Sequence, residues 1–194
     1  MVNKMDAKID TKEQILDIAE DLLLDRGYNG FSYKDIAVAL NIRNASIHYH
    51  FSKKTALGVA IIQRAINRFQ KWAGYLDGKD WPYSKKLDEF CLIFKRYVEQ
   101  KQQICLGGAL ETDFKTLPEE MQKETRLFIS NTLQWLENFL AEGKKKGEFN
   151  FPGSASDQAL LIIASLQGAI QIVRVTSPAS FDATVKQIKR YICV

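Results

Sequence analysis

Along this chain apolar residues recur at intervals of three and four with scarcely any period-two alternation, a pattern that predicts helices and almost no strand. Ile15, Ile18, Ala19, Leu22 and Leu23 mark one face of a first helix over residues 11–26, which Gly27 closes. After a turn at 28–31, Ser32 stands where an N-cap belongs and Asp35 complements the free amides of the next helix, whose short apolar stripe is Ile36, Ala37 and Leu40. Asn41, a residue type that tolerates left-handed backbone, ends that helix, and another short one is predicted over about 44–51. Two short helices joined by about three residues are the layout of a helix-turn-helix, and also of a plain helical hairpin.

Longer periodic segments follow at about 54–75, 83–102, 118–146, 156–175 and 181–192, with a short helix at 106–114, and the segment 147–153 reads as a loop in which only residues 149–151 hint at extended chain. The fold class is therefore all-α, with about nine helices. The most apolar stretch, residues 158–173, has no charged residue but includes Gln167 and Gln171, and it falls short of the ~20 residues that span a bilayer. It is expected to be a buried helix, with no membrane involved.

The 194 residues, 46% of them hydrophobic, suffice for one or two domains with a sizeable core. Their 27 basic and 23 acidic residues leave a net charge of only +4, but the distribution is uneven. Residues 1–35 sum to −3, whereas residues 36–76 contain no Asp or Glu and carry Arg43, Lys53, Lys54, Arg64, Arg68 and Lys71. An acid-free surface that also offers Asn44, Ser46, His48 and Tyr49 suits a phosphate backbone with base edges read by a few side chains, although charge runs are also common on solvated faces.

Three scattered cysteines, Cys91, Cys105 and Cys193, do not make a disulfide framework or a zinc module. Residues 1–12 alternate in charge and lack the apolar core of an export signal, so a cytoplasmic location is expected. No phosphate-cradling glycine loop, nucleophile elbow or metal-spaced cluster is present, so neither catalysis nor a cofactor is expected. The two histidines, His48 and His50, point about 200° apart on a helix and cannot chelate one metal ion.

Thr11-Lys-Glu-Gln-Ile-Leu-Asp-Ile-Ala, Asp25-Arg-Gly-Tyr, Ser32-Tyr-Lys-Asp-Ile-Ala and Ala45-Ser-Ile-His-Tyr-His-Phe-Ser-Lys-Lys-Thr-Ala-Leu57 together resemble, in order and spacing, the DNA-binding domain of TetR-family transcriptional regulators. The resemblance implies a three-helix DNA-binding domain at residues 1–53 and a helical effector-binding and dimerisation domain at 54–194. It implies that the second helix of the motif enters the major groove of an operator, with Arg43, Asn44, Ala45, Ser46, His48 and Tyr49 in the reading positions. Arg43 is placed to pair with guanine, Asn44 to read adenine or a phosphate, and Ala45 to allow close approach. Lys12, Ser32, Tyr33, Lys34, Tyr49, Lys53 and Lys54 are then expected to lie along the phosphates, Lys54 at the start of the long connecting helix. Three positions depart from the family pattern: Asn41 for glycine, Arg43 for a capping Ser or Thr, and His48 for tyrosine.

One such domain contacts few phosphates, so two copies reading a palindrome are expected, and Leu161, Ala164, Ser165, Gly168 and Ile172 are the candidate dimer face. Ile163, Leu166, Ile170 and Val173 on the same helix are expected to pack inward. By the same resemblance the protein is a ligand-responsive homodimeric repressor, released from its operator by a small lipophilic or aromatic effector. Phe69, Trp72, Phe90, Phe94, Tyr97, Cys105, Phe128 and Trp135 are the candidate cavity residues, each of which could also be plain core. Cys105, before two glycines at a helix start, is placed either for a stabilised thiolate or for structural burial.

Overall fold

A computed structural model describes residues 10–99 and 103–194. The residues 1–9 read above for an export signal, and the predicted end of the fifth helix at 100–102, lie outside the described residues. Among the described residues nine α-helices follow in order: α1 Thr11–Arg26, α2 Tyr33–Leu40, α3 Asn44–His50, α4 Lys54–Asp77, α5 Tyr83–Glu99, α6 Leu106–Asp113, α7 Glu119–Lys145, α8 Ala155–Val173 and α9 Ala179–Ile192. Short 3₁₀ turns at Tyr28–Gly30 and Phe114–Thr116 join the neighbours of α1 and α6.

The punctuation acts as its chemistry requires. Gly27 closes α1 at φ 76°, and Asn41 ends α2 in the left-handed region at φ 53°, ψ 44°, which lets the amide of Ile42 return to Ala37 at 3.0 Å. The carboxylate of Asp35 accepts from the backbone amide of Ser32 at 2.8 Å and from its hydroxyl at 2.7 Å. Arg43 occupies the N-cap of α3 without a side-chain cap, the loss that its replacement of Ser or Thr predicts.

Two apolar clusters carry the molecule. The first joins α1, α2 and α3 through Ile15, Leu23, Ile36 and Ile47 and continues past residue 53 into α4 at Leu57, Ile61 and Ile62 and onto Leu110 and Met121. The second gathers α5, α7, α8 and α9 around Phe90, Leu136, Leu140, Leu166 and Phe181. α4 and α6 thus hold the N-terminal helices against the larger bundle, and Tyr28 cements the joint because its backbone amide donates to Asp113 Oδ2 at 2.7 Å.

The extended hint at 149–151 becomes an isolated antiparallel bridge between Phe149 and Cys193, with the amide of Asn150 donating to the carbonyl of Ile192 at 2.8 Å. Gly143, late in α7, is what lets this loop fold back. A Cβ there would collide with the ring of Phe149, which is 2% exposed and wedged between Tyr83 and Phe139. Alanine is the better helix former by about 1 kcal/mol, yet overpacking a rigid buried ring costs about 1–3 kcal/mol. Gly143→Ala is therefore expected to lower stability by up to about 2 kcal/mol in urea denaturation, and a raised midpoint would refute this account.

α8 is, by length and composition alone, long and apolar enough to cross a membrane. Its buried side, Ile163, Leu166, Ile170 and Val173 among others, packs inward as its pattern predicts, and the helix belongs to the second cluster.

Candidate functional site

The helix-turn-helix presents one polar face. Lys12, Ser32, Lys34, Arg43, Asn44, Ala45, His48, Tyr49 and Lys53 are exposed and Ser46 is half-buried, while Ile47 at 0% exposure anchors α3 from below. Tyr49 is the most open of the aromatics there, 86% exposed, and its ring leans on His50 with centroids 5.1 Å apart. His48 instead sets its ring against Tyr33 at 4.8 Å, so the two histidines serve different neighbours. Among the described residues no ion pair engages Arg43.

Two of the expected phosphate ligands face the other way. The hydroxyl of Tyr33 donates to the carbonyl of Phe51 at 2.8 Å in a buried setting, and burial pushes its pKa up to about 12. The ammonium of Lys54 donates to the carbonyls of Tyr28 and Phe31 and sits over both their rings, 4.5 and 4.2 Å from the centroids. Burial holds its pKa below the usual lysine value. Both side chains tie the motif to its own framework, because their partner carbonyls lie in turns that α1 and α3 bring within reach.

The acid-free window is likewise only in part an outward charge. Arg64 donates to Glu13 at 3.2 Å, Asp17 at 2.7 Å and Glu20 at 2.6 Å, and Arg68 also pairs with Glu20. Residues 13, 17 and 20 lie on one face of α1, and 64 and 68 are one turn apart on α4, so the acidic and basic segments match each other across the helix pair. Arg43, Lys53 and Lys71 remain exposed.

Beneath this joint lie two adjacent hollows that share part of their lining. An inner apolar pit of about 70 Å³ is lined by Phe69, Phe90, Phe94, Tyr97, Cys105 and Phe128, as expected, and also by Thr132 and Gln167. An outer cavity of about 520 Å³ shares Phe69, Tyr97 and Phe128 with it and adds Trp72 and the charged groups Glu20, Arg64, Arg68 and Arg96. Trp135, expected at the cavity, lines neither hollow: it stacks on Phe139 at 5.3 Å and its indole donates to Asp77 at 3.3 Å. The charged rim is not legible in the sequence because its residues are distant along the chain, whereas Gln167, which lines the inner pit, does stand out in an otherwise apolar run.

Cys105 is the N-cap of α6, and the amide of Gly108 donates to its sulfur at 3.4 Å. Burial outweighs that contact and pushes the pKa to about 11, so the side chain is a thiol at neutral pH, in keeping with structural burial rather than a stabilised thiolate. Among the described residues no group of three or more His, Cys, Asp or Glu side chains gathers as a metal site would need.

Residues 15–61 match the sequence model of the bacterial regulatory proteins of the tetR family, a span that begins inside α1 and ends in α4. The chain is 24% identical over 166 residues to the HTH-type transcriptional repressor DhaR of Mycobacterium sp. (strain GP1), covering 84% of this chain and 82% of that protein. It is 26% identical over 171 residues to the HTH-type transcriptional repressor NemR of Escherichia coli (strain K12), covering 82% of each. A TetR-family transcriptional regulator from Agrobacterium tumefaciens superimposes with a TM-score of 0.88 at 26% identity, over 94% of this chain and 97% of that one. The family model covers the DNA-binding domain, and over most of its length the chain is similar to TetR-family regulators.

These similarities mark it as a DNA-binding transcriptional regulator rather than an enzyme, with α2 and α3 as its helix-turn-helix. Its described residues have the all-α architecture expected, with the DNA-binding motif at the N-terminal end.

Proposed function

We propose that this protein is a TetR-family regulator, a cytoplasmic homodimeric repressor in which residues 1–53 bind a palindromic operator and residues 54–194 dimerise and bind a small apolar or amphipathic effector that releases the DNA. The observation that carries the reading is the exposed, acid-free face of α3, where Arg43, Asn44, Ala45, His48 and Tyr49 stand clear of the core on a buried Ile47. Lys12, Ser32, Lys34 and Lys53 flank that face and would fix the helix on the phosphates. Tyr33 would contribute through its backbone amide at the start of α2, since its hydroxyl is occupied.

A second copy would pack on the outer face of α8. Leu161 and Ile172 are each 52% exposed, and Ala164, Ser165 and Gly168 between them leave room for close helix approach; a Cβ on Gly168 would meet nothing within 4 Å. Leu160, 59% exposed, and Val175, 85% exposed, extend the same apolar face.

The test pairs sedimentation with selection from a random duplex library. The selected sites should be palindromes with half-sites about one helical turn apart. Leu161→Glu with Ile172→Glu should yield a folded monomer that binds the selected site at least about 100-fold more weakly, because it loses the second half-site. A variant that stays dimeric, or a monomer that binds undiminished, would refute the assignment.

A further inference from the structure

We propose that the effector is an amphipathic anion whose carboxylate or similar head is held at the rim by Arg68 and Arg96 while its apolar body reaches the inner pit; this rests on the effector reading of that cavity. The outer cavity carries three carboxylates, Asp17, Glu20 and Asp21, and three guanidinium groups, Arg64, Arg68 and Arg96, so net charge alone does not choose a ligand. Hydrogen-bonding capacity does. Both oxygens of Glu20 are already taken, one by Arg64 and one by Arg68, and Asp17 accepts from Arg64.

The donors are far from used up. Each guanidinium offers five N–H groups. Arg68 spends one on Glu20 and is half exposed, and among the described residues no ion pair engages Arg96. The Nε of Arg64 is buried without any hydrogen-bond partner among the described residues, a position that costs free energy until an acceptor reaches it. A donor-rich rim over a pit of Phe69, Phe94, Tyr97 and Phe128 complements a ligand with an acceptor head and an apolar body.

The same rim is the joint between α1 and α4, so an anion there competes with Glu20 for Arg68. Its binding would then bear directly on how α1, and with it the helix-turn-helix, sits on the bundle.

Three probes of equal chain length separate the possibilities: decanoate, decan-1-ol and decyltrimethylammonium, each titrated while tryptophan fluorescence is followed, since Trp72 lines the outer cavity. Decanoate should bind at least about tenfold tighter than either of the others. Arg96→Gln, an exposed change that disturbs no ion pair among the described residues, should weaken decanoate about tenfold and leave decan-1-ol unchanged, with Arg68→Gln giving the same pattern. Equal binding of the alcohol or the ammonium, or indifference of decanoate to both substitutions, would overturn the anion assignment and leave the effector cavity standing. Failure of all three probes to bind protein with native circular dichroism would overturn both.

Discussion

Replacing Arg43 with alanine is expected to weaken operator binding by about 1–3 kcal/mol at each half-site, or about 2–6 kcal/mol for a two-fold complex, and to relax the base preference at one position. The residue stands at the N-cap of α3 with φ −79° and ψ 145°, exposed and with no ion pair among the described residues to hold it back. That placement leaves the start of α3 without a side-chain cap, which a serine would supply for about 1 kcal/mol. Arg43→Ser should consequently raise the thermal midpoint while it weakens the operator complex, so that stability and binding move in opposite directions. Arg43→Lys should keep the charge and most of the salt dependence but lose the bidentate pairing and its specificity. The measurement is fluorescence anisotropy on matched and single-base-changed duplexes over a range of salt. An Arg43→Ala protein that discriminates among those duplexes as the parent does would place the reading elsewhere on α3.

What could be read from the chain alone was whatever one residue and its near neighbours decide. Gly27, Asn41 and the Ser32–Asp35 pair end and begin helices through bonds that span only a few residues, and these boundaries stand in the structure. The inward side of α8 was legible for the same reason, because its period is local. Lys54 and Tyr33 were misplaced because their partners, the carbonyls of Phe31 and Phe51, lie 23 and 18 residues away and become neighbours only after α1, α3 and α4 pack. Trp135 has the composition of a cavity residue, but its half-buried ring packs against Phe139, Phe69 and Trp72 at the edge of the second cluster and lines neither hollow. The uneven charge was real, yet its meaning depended on geometry: Arg64 and Arg68 answer Glu13, Asp17 and Glu20 across the α1–α4 contact, and the DNA face keeps only the cations that contact leaves exposed.

Lys54→Met is expected to destabilise the protein by about 2–4 kcal/mol, the largest loss of stability among single changes in the N-terminal helices outside the apolar core. Methionine keeps the aliphatic stem but removes the ammonium that bonds the carbonyls of Tyr28 and Phe31. Each such charge-assisted bond is worth about 1.5–3 kcal/mol, and the two aromatic faces add about 0.5–2 kcal/mol, against which the cost of burying the charge is recovered in the variant. The carbonyls left behind belong to the turn between α1 and α2, so the variant should loosen the seat of the helix-turn-helix and raise the operator dissociation constant indirectly. The salt dependence distinguishes this from a phosphate contact. A lysine on the backbone contributes about one unit to the slope of log K against log salt, whereas a lysine turned inward contributes none. Lys54→Met should therefore shift the urea midpoint and the affinity together while the slope stays at the parent's value, and Lys53→Met, whose side chain is exposed beside it, should lower the slope with little change in the midpoint. The reverse pattern would put the Lys54 ammonium on the DNA and leave the turn to be held by its apolar contacts alone.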